Sequence, residues 1–105
     1  PPRWARPAPG FNLQTPYNFV STNDIIGGNS GSPVVNQNSE VVGLAFDGNL
    51  DSLPGSFIFD ETRNRTISVH SAGMLESLRS VYRAQHLVNE LMSGRTAAPR
   101  ATAGR

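Results

Sequence analysis

The chain contains no cysteine and no lysine. Without cysteine there is no disulfide and no thiolate metal ligand, and nothing in the composition indicates a redox compartment. Without lysine, the glycine-rich stretch around Gly28 lacks the Gly-Lys-Ser/Thr ending of a phosphate-cradling loop, and no helix begins there. No apolar run approaches the roughly 20 residues of a membrane helix, so no membrane span is expected. Hydrophobic residues make up only 37% of 105 positions. That is low for an independent core, and the length suits one small domain or a piece of a larger one. The first residue is Pro1 and no signal peptide is visible.

Positive charge is scarce in the middle of the chain. All nine basic residues are arginine, and Arg3, Arg6, Arg95, Arg100 and Arg105 lie in the two ends. Between Phe11 and Met92, four arginines stand against all eight acids, a balance of −4. The net charge of +1 is thus a property of tails. A nucleic-acid site needs clustered positive charge on a folded surface, and this distribution argues against one.

Four prolines within Pro1–Gly10 read as an extended linker, and 1–16 is expected to be linker or loop. From Ser32 the pattern becomes β-rich. Ser32 to Asn36 is a short apolar run, Gln37, Asn38 and Ser39 are turn formers, and Glu40 to Phe46 is a second run, which together predict a hairpin. Phe57 to Phe59 reads as another short strand, with a polar turn at Glu61–Arg65 and a return strand at Thr66–Val69. After His70 the period becomes helical. Met74, Leu75, Leu78, Val81, Tyr82, Leu87, Val88, Leu91 and Met92 recur at three- and four-residue steps. Ser71 suits an N-cap and Gly94 a C-terminal stop. The spacing predicts one helix over about 72–92, roughly 30 Å long. Residues 93–105 carry no apolar periodicity and are expected to be disordered.

The richest stretch is Gly27-Gly-Asn-Ser-Gly-Ser-Pro33. It sets Ser30 between small residues on a loop that must bend sharply. A serine hydroxyl attacks a carbonyl only where the backbone folds away from it and N–H groups face the developing oxyanion. Glycine permits the necessary dihedrals. The competing reading is a turn-rich loop of no chemical consequence. Two features favour chemistry. Pro33 opens an apolar hairpin, and Gly43 to Phe46 resembles the strand that lines the substrate pocket of chymotrypsin-type serine proteases, whose nucleophile loop is usually Gly-Asp-Ser-Gly-Gly-Pro. A serine also needs a base. His70 and His86 are the only histidines, and both follow Ser30. His86 sits mid-helix beside an apolar stripe, and His70 lies at a strand end, so both read as structural or solvent-facing.

Ser21-Thr-Asn-Asp-Ile-Ile-Gly-Gly-Asn-Ser-Gly-Ser-Pro-Val-Val-Asn36, followed by Glu40-Val-Val-Gly-Leu-Ala-Phe-Asp-Gly-Asn49, closely resembles the bacterial dipeptidyl-peptidase 7 / dipeptidyl-peptidase 11 family of serine exopeptidases. The resemblance covers about residues 17 to 92. It implies a mainly β fold with a C-terminal α-helix, forming part of the second barrel of a chymotrypsin-like double β-barrel. It implies release of dipeptides from free peptide N-termini, in the periplasm or cell envelope of a Gram-negative bacterium, by a homodimer without cofactor or metal. Mapped by position, Ser30 is the nucleophile, Gly28 and Ser30 give the oxyanion N–H groups, and Asp47 helps hold the substrate's α-ammonium. Gly48 falls where members cleaving after Asp or Glu carry arginine, which implies an open pocket preferring apolar residues. Asp47 could instead be a solvent-exposed turn acid. Asp24, six residues before Ser30, is expected to bond loop backbone. Ile25-Ile26 replaces a more usual Ile-Thr. The triad histidine and aspartate, and a helical domain completing the amine site, are expected in a region preceding this chain. Alone, the chain is expected to be inactive. Two alternatives remain open at this point: another trypsin-like endopeptidase, and a non-catalytic β-domain serving as an interaction module.

Overall fold

The computed structural model describes residues 1–96. Four antiparallel strands form one sheet in the order β1-β4-β3-β2. They are β1 (Asn18–Ser21), β2 (Pro33–Val35), β3 (Val41–Gly48) and β4 (Thr66–His70). The expected hairpin is present as β2 and β3. Its loop is held by the Asn36 side chain, whose Oδ1 accepts from the N–H groups of Asn38 (2.9 Å) and Glu40 (3.0 Å). Ser39 completes the turn at a φ of 62°.

β3 is the shared strand, pairing with β2 on one side and β4 on the other. It approaches its neighbours closely at Gly43. A Cβ there would overlap the Val69 carbonyl oxygen and come within 2.5 Å of the Phe19 ring. Only glycine fits that crossing. The sheet core is narrow: Ala45 is 3% exposed, and Thr66 and Ser68 of β4 are fully buried beside it.

Several expectations are corrected. Phe57–Phe59 is not a strand. It follows a 3₁₀ segment, Leu50–Ser56, and the N–H groups of Phe57 and Ile58 both donate to Pro54 O, closing a turn. Three consecutive apolar residues have no period-2 alternation to seat them on a sheet, and Phe57 stays 92% exposed. The return strand β4 pairs with β3 and with β1, which the sequence pattern did not reveal.

The single helix over 72–92 is also corrected. The segment consists of α2 (Ser71–Glu76), a wide turn at Ser77–Val81, and α3 (Gln85–Ser93). Between them the Tyr82 N–H donates to Ser77 O, Ala84 N–H reaches Leu78 O, and Arg83 takes a φ of 54°. Ser77 Oγ donates back to Gly73 O at 2.7 Å, the kind of local bond that bends helices. The N-cap is His70 rather than Ser71: its Nδ1 accepts the Ala72 N–H at 3.1 Å. Gly94 ends α3 in the left-handed conformation, φ 65°, as expected.

The opening residues, read as an extended linker, include a short helical turn, α1 (Pro2–Ala5). Trp4 meets Tyr82 edge to face at 5.9 Å, just where the long helix breaks. The expected disorder at 93–105 falls, from residue 97 onward, outside the described residues. Among the described residues no helix is long and apolar enough to cross a membrane.

Glu76 ties this N-terminal segment to α2. Its buried carboxylate accepts from Ser80 Oγ (2.5 Å) and the Asn12 N–H (3.1 Å), with Arg79 at 3.6 Å. The Ser80 hydroxyl first, then the Asn12 N–H, hold its pKa below the ordinary glutamate value against the opposing effect of burial. A depressed folded pKa contributes stability above the unfolded pKa of about 4.3 and loses it as pH falls through the folded value. Thermal unfolding followed from about pH 6 to pH 3 should therefore show a loss of stability below about pH 5 that is smaller in Glu76→Gln, the variant itself being less stable at pH 6.

Candidate active site

The loop from Ile25 to Ser32 leaves β1 and enters β2, and its shape follows from two glycines and one asparagine. Gly28 and Gly31 adopt φ values of 103° and 86°. An added Cβ at either would meet nothing within 4 Å, so conformation rather than crowding requires glycine there. Asn29 closes the turn: its Oδ1 accepts the Ile26 N–H at 2.8 Å, and its own N–H donates to Ile26 O at 3.1 Å. The loop is then fastened to the sheet. Gly31 N–H donates to Ala45 O at 2.7 Å, and Ala45 N–H donates to Ser32 O at 3.0 Å.

Ser30 is exposed, and its Oγ donates to Phe46 O at 3.4 Å. Among the described residues the N–H groups of Gly28 and Ser30 have no acceptor. Neither histidine reaches the serine's cleft. His70 has its Nδ1 occupied by the α2 cap and its ring edge-on to Phe19 at 5.6 Å, and His86 lies exposed on α3.

A bulge shapes the other wall. In the β3–β4 ladder Ala45 pairs with Ser68 and Asp47 with Ile67, which leaves Phe46 as the extra residue. Strict alternation would put Phe46 and Asp47 on opposite faces. The bulge shifts the register, and both become exposed. Phe46, Asp47 and Gly48 then line one open cleft of about 250 Å³ together with Ser30, Ile25, Ile26 and Gly27. Three of the four residues singled out from the sequence, Ser30, Asp47 and Gly48, are thus brought together. Gly28 lies on the same loop but not on the cleft lining.

The Asp47 carboxylate is oriented by its neighbour: Oδ1 accepts the Gly48 N–H at 2.8 Å. It forms no ion pair among the described residues. Below Gly48 the floor is fixed by a small network. Ser52 Oγ donates to Asn49 Oδ1 at 2.5 Å, Arg65 N–H donates to Asn49 Oδ1 at 3.0 Å, and Asn49 Nδ2 reaches Arg63 O at 2.8 Å. A Cβ at Gly48 would stand 3.2 Å from Ser52 Cβ, so the floor is tight beneath the strand.

Among the described residues Asp24 does not make the expected side-chain bond to loop backbone. It lines a second recess with Asn23, Asn29 and Ser32, apart from the cleft of Ser30. Its neighbour takes the structural task. Asn23 Nδ2 donates to Thr66 Oγ1 at 3.3 Å, and Thr66 Oγ1 donates to Asn23 O at 2.6 Å. Asn23, Asn29, Asn49 and Ser52 were not singled out from the sequence. The available signal was the capacity of a short amide or hydroxyl side chain to bond backbone a few residues away in a turn.

The sequence pattern of the family described as Peptidase S46 matches residues 8–93. The chain belongs to the peptidase S46 family. It is 47% identical over 73 residues to a dipeptidyl-peptidase 7 of Capnocytophaga gingivalis, covering 70% of this chain and 10% of that protein. It is 40% identical over 81 residues to an Asp/Glu-specific dipeptidyl-peptidase of Shewanella putrefaciens, covering 77% of this chain and 11% of that one. The crystal structure of Porphyromonas endodontalis DPP11 in an alternate conformation superposes with a TM-score of 0.69 at 32% identity, over 72% of this chain and 12% of that one. The chain spans about a tenth of the length of the curated relatives it matches.

The glycine geometry gives a direct test. Gly28→Ala and Gly31→Ala should each lower stability by about 1 kcal/mol from backbone strain alone. Gly27→Ala, with open space and no positive φ, should be neutral or slightly stabilising. Denaturant midpoints of the three variants measure the difference.

Proposed function

We propose that this chain is part of a serine-type dipeptidyl-peptidase that removes dipeptides from the free N-termini of peptides. The observation that carries the reading is the shared cleft: an exposed serine on a glycine loop with unclaimed N–H groups, facing an oriented carboxylate with no ion-pair partner. In this reading Ser30 Oγ attacks the scissile carbonyl and forms an acyl-enzyme. The N–H groups of Gly28 and Ser30 stabilise the oxyanion. Asp47 binds the substrate's α-ammonium, which sets how much peptide precedes the scissile bond.

Gly48 adds no charge of its own to the cleft beside Asp47, which supports a preference for apolar residues at the cleavage site. The relatives carry two different names, dipeptidyl-peptidase 7 and Asp/Glu-specific dipeptidyl-peptidase, so pocket charge is the property to measure. The general base and its carboxylate partner would come from residues outside this chain, within the same longer protein. The four-stranded sheet would then be part of the second barrel of a chymotrypsin-like double barrel. The family resemblance likewise supports a homodimer in the periplasm or cell envelope of a Gram-negative bacterium.

In the full-length protein, Ser30→Ala should lower kcat by on the order of 10⁴-fold or more. Asp47→Asn should lower kcat/KM by roughly 10- to 100-fold on free dipeptidyl substrates, the loss of one charge-assisted hydrogen bond. N-acetylation of the substrate should abolish cleavage by the wild type. Equal cleavage of N-acetylated peptides at internal bonds would move the reading to an endopeptidase, and a preference for acidic dipeptides would overturn the role given to Gly48.

A further inference from the structure

We infer that Asn29 is a positioning residue for the nucleophile, acting through the Ile26 N–H; the inference rests on the reading of Ser30 proposed above. Asn29 uses three of its polar groups on the loop. Oδ1 accepts from Ile26 N–H at 2.8 Å, N–H donates to Ile26 O at 3.1 Å, and its carbonyl accepts from Ser32 N–H at 2.9 Å. The side chain and the peptide N–H thus form a reciprocal pair with one residue. That pair closes the chain around Gly27 and Gly28 and sets where Ser30 begins.

The bonds also sort the donors of the loop. Ile26, Asn29, Gly31 and Ser32 have their N–H groups occupied, while among the described residues those of Ile25, Gly27, Gly28 and Ser30 have no acceptor, so both N–H groups given to the oxyanion are among the unclaimed ones. Without the Asn29 acceptor, the Ile26 N–H has only water, because Ile26 is 61% exposed. Water satisfies the donor but does not fix the turn. Global stability should then change little while the direction of the Gly28 N–H and the Ser30 hydroxyl loosens. Catalytic geometry is sensitive to displacements of about 1 Å, which cost on the order of 100-fold.

Aspartate has an acceptor oxygen at the same position, and leucine has similar bulk without one. The acceptor can therefore be separated from the shape. The test uses the full-length protein with Asn29→Ala, Asn29→Leu and Asn29→Asp, each titrated with a dipeptidyl phosphonate so that kcat is expressed per reactive serine. Asn29→Ala and Asn29→Leu should lose roughly 10- to 100-fold in kcat with KM within about twofold of wild type. Asn29→Asp should recover at least threefold over both. Wild-type kcat in Asn29→Ala, or equal loss in the Asp and Leu variants, overturns the inference. A wild type that takes up no phosphonate and releases no dipeptide overturns the reading of Ser30 itself, which is a distinguishable result.

Discussion

The pair of backbone bonds at Ala45 decides where the serine loop can be. Ala45 gives its carbonyl to Gly31 and its N–H to Ser32, and it is almost fully buried. Shielded bonds of this kind are stronger than exposed ones, because water does not compete for them. The end of the loop is therefore an extension of the β2–β3 ladder, which the chain joins at Gly31 after leaving β1 at Ser21. The next residue of β3, Phe46, accepts from Ser30 Oγ, and the two after that are Asp47 and Gly48. One strand thus holds the loop from behind and supplies the facing wall of the cleft in front.

That arrangement needs an irregular strand. A regular β3 would alternate, and Phe46 and Asp47 would diverge. The bulge opposite Ile67 gives up one ladder position to bring both to one side. Strand β4 tolerates this because it is anchored elsewhere. Asn49 and Ser52 hold the Arg65 backbone just before it, and Gly43 admits the Phe19 ring and the Val69 carbonyl at its other end. The bulge lies between two fixed points.

What the sequence made legible is what is decided within a few residues. The Asn36–Glu40 turn, the glycine loop, the C-terminal glycine of α3 and the β runs on either side of Gln37 each carry their cause locally. Ser30, Asp47 and Gly48 were legible as candidates through a family resemblance, and their convergence on one cleft follows from the β2–β3 hairpin. The features that escaped depend on competition between local and distant partners. The apolar period from Met74 to Met92 is continuous in sequence, yet Ser77 and Ser80 bond backward to Gly73 and Glu76, and Tyr82 turns toward Trp4, 78 residues away. Periodicity records which positions are apolar and is silent on such a break. His70 is a strand end, as its position suggested, and is also a cap, because its Nδ1 can do the work expected of the Ser71 hydroxyl.

The serine's own hydrogen bond bears on how the loop could work. Ser30 Oγ sits 3.4 Å from the Phe46 carbonyl, well beyond the 2.7–2.8 Å typical of a hydroxyl donor. Such a contact orients the hydroxyl without holding it firmly. A base approaching from the open side of the cleft would replace a weak bond with a stronger one, and the serine would not have to leave a deep minimum to be activated. The backbone around it behaves in the opposite way, since the bonds at Ala45 and Asn29 are all between 2.7 and 3.1 Å. The loop therefore combines a rigid frame with a loosely held hydroxyl. That combination suits a nucleophile whose proton acceptor comes from another part of a longer protein, because the frame fixes the position while the hydroxyl keeps the freedom to meet its partner.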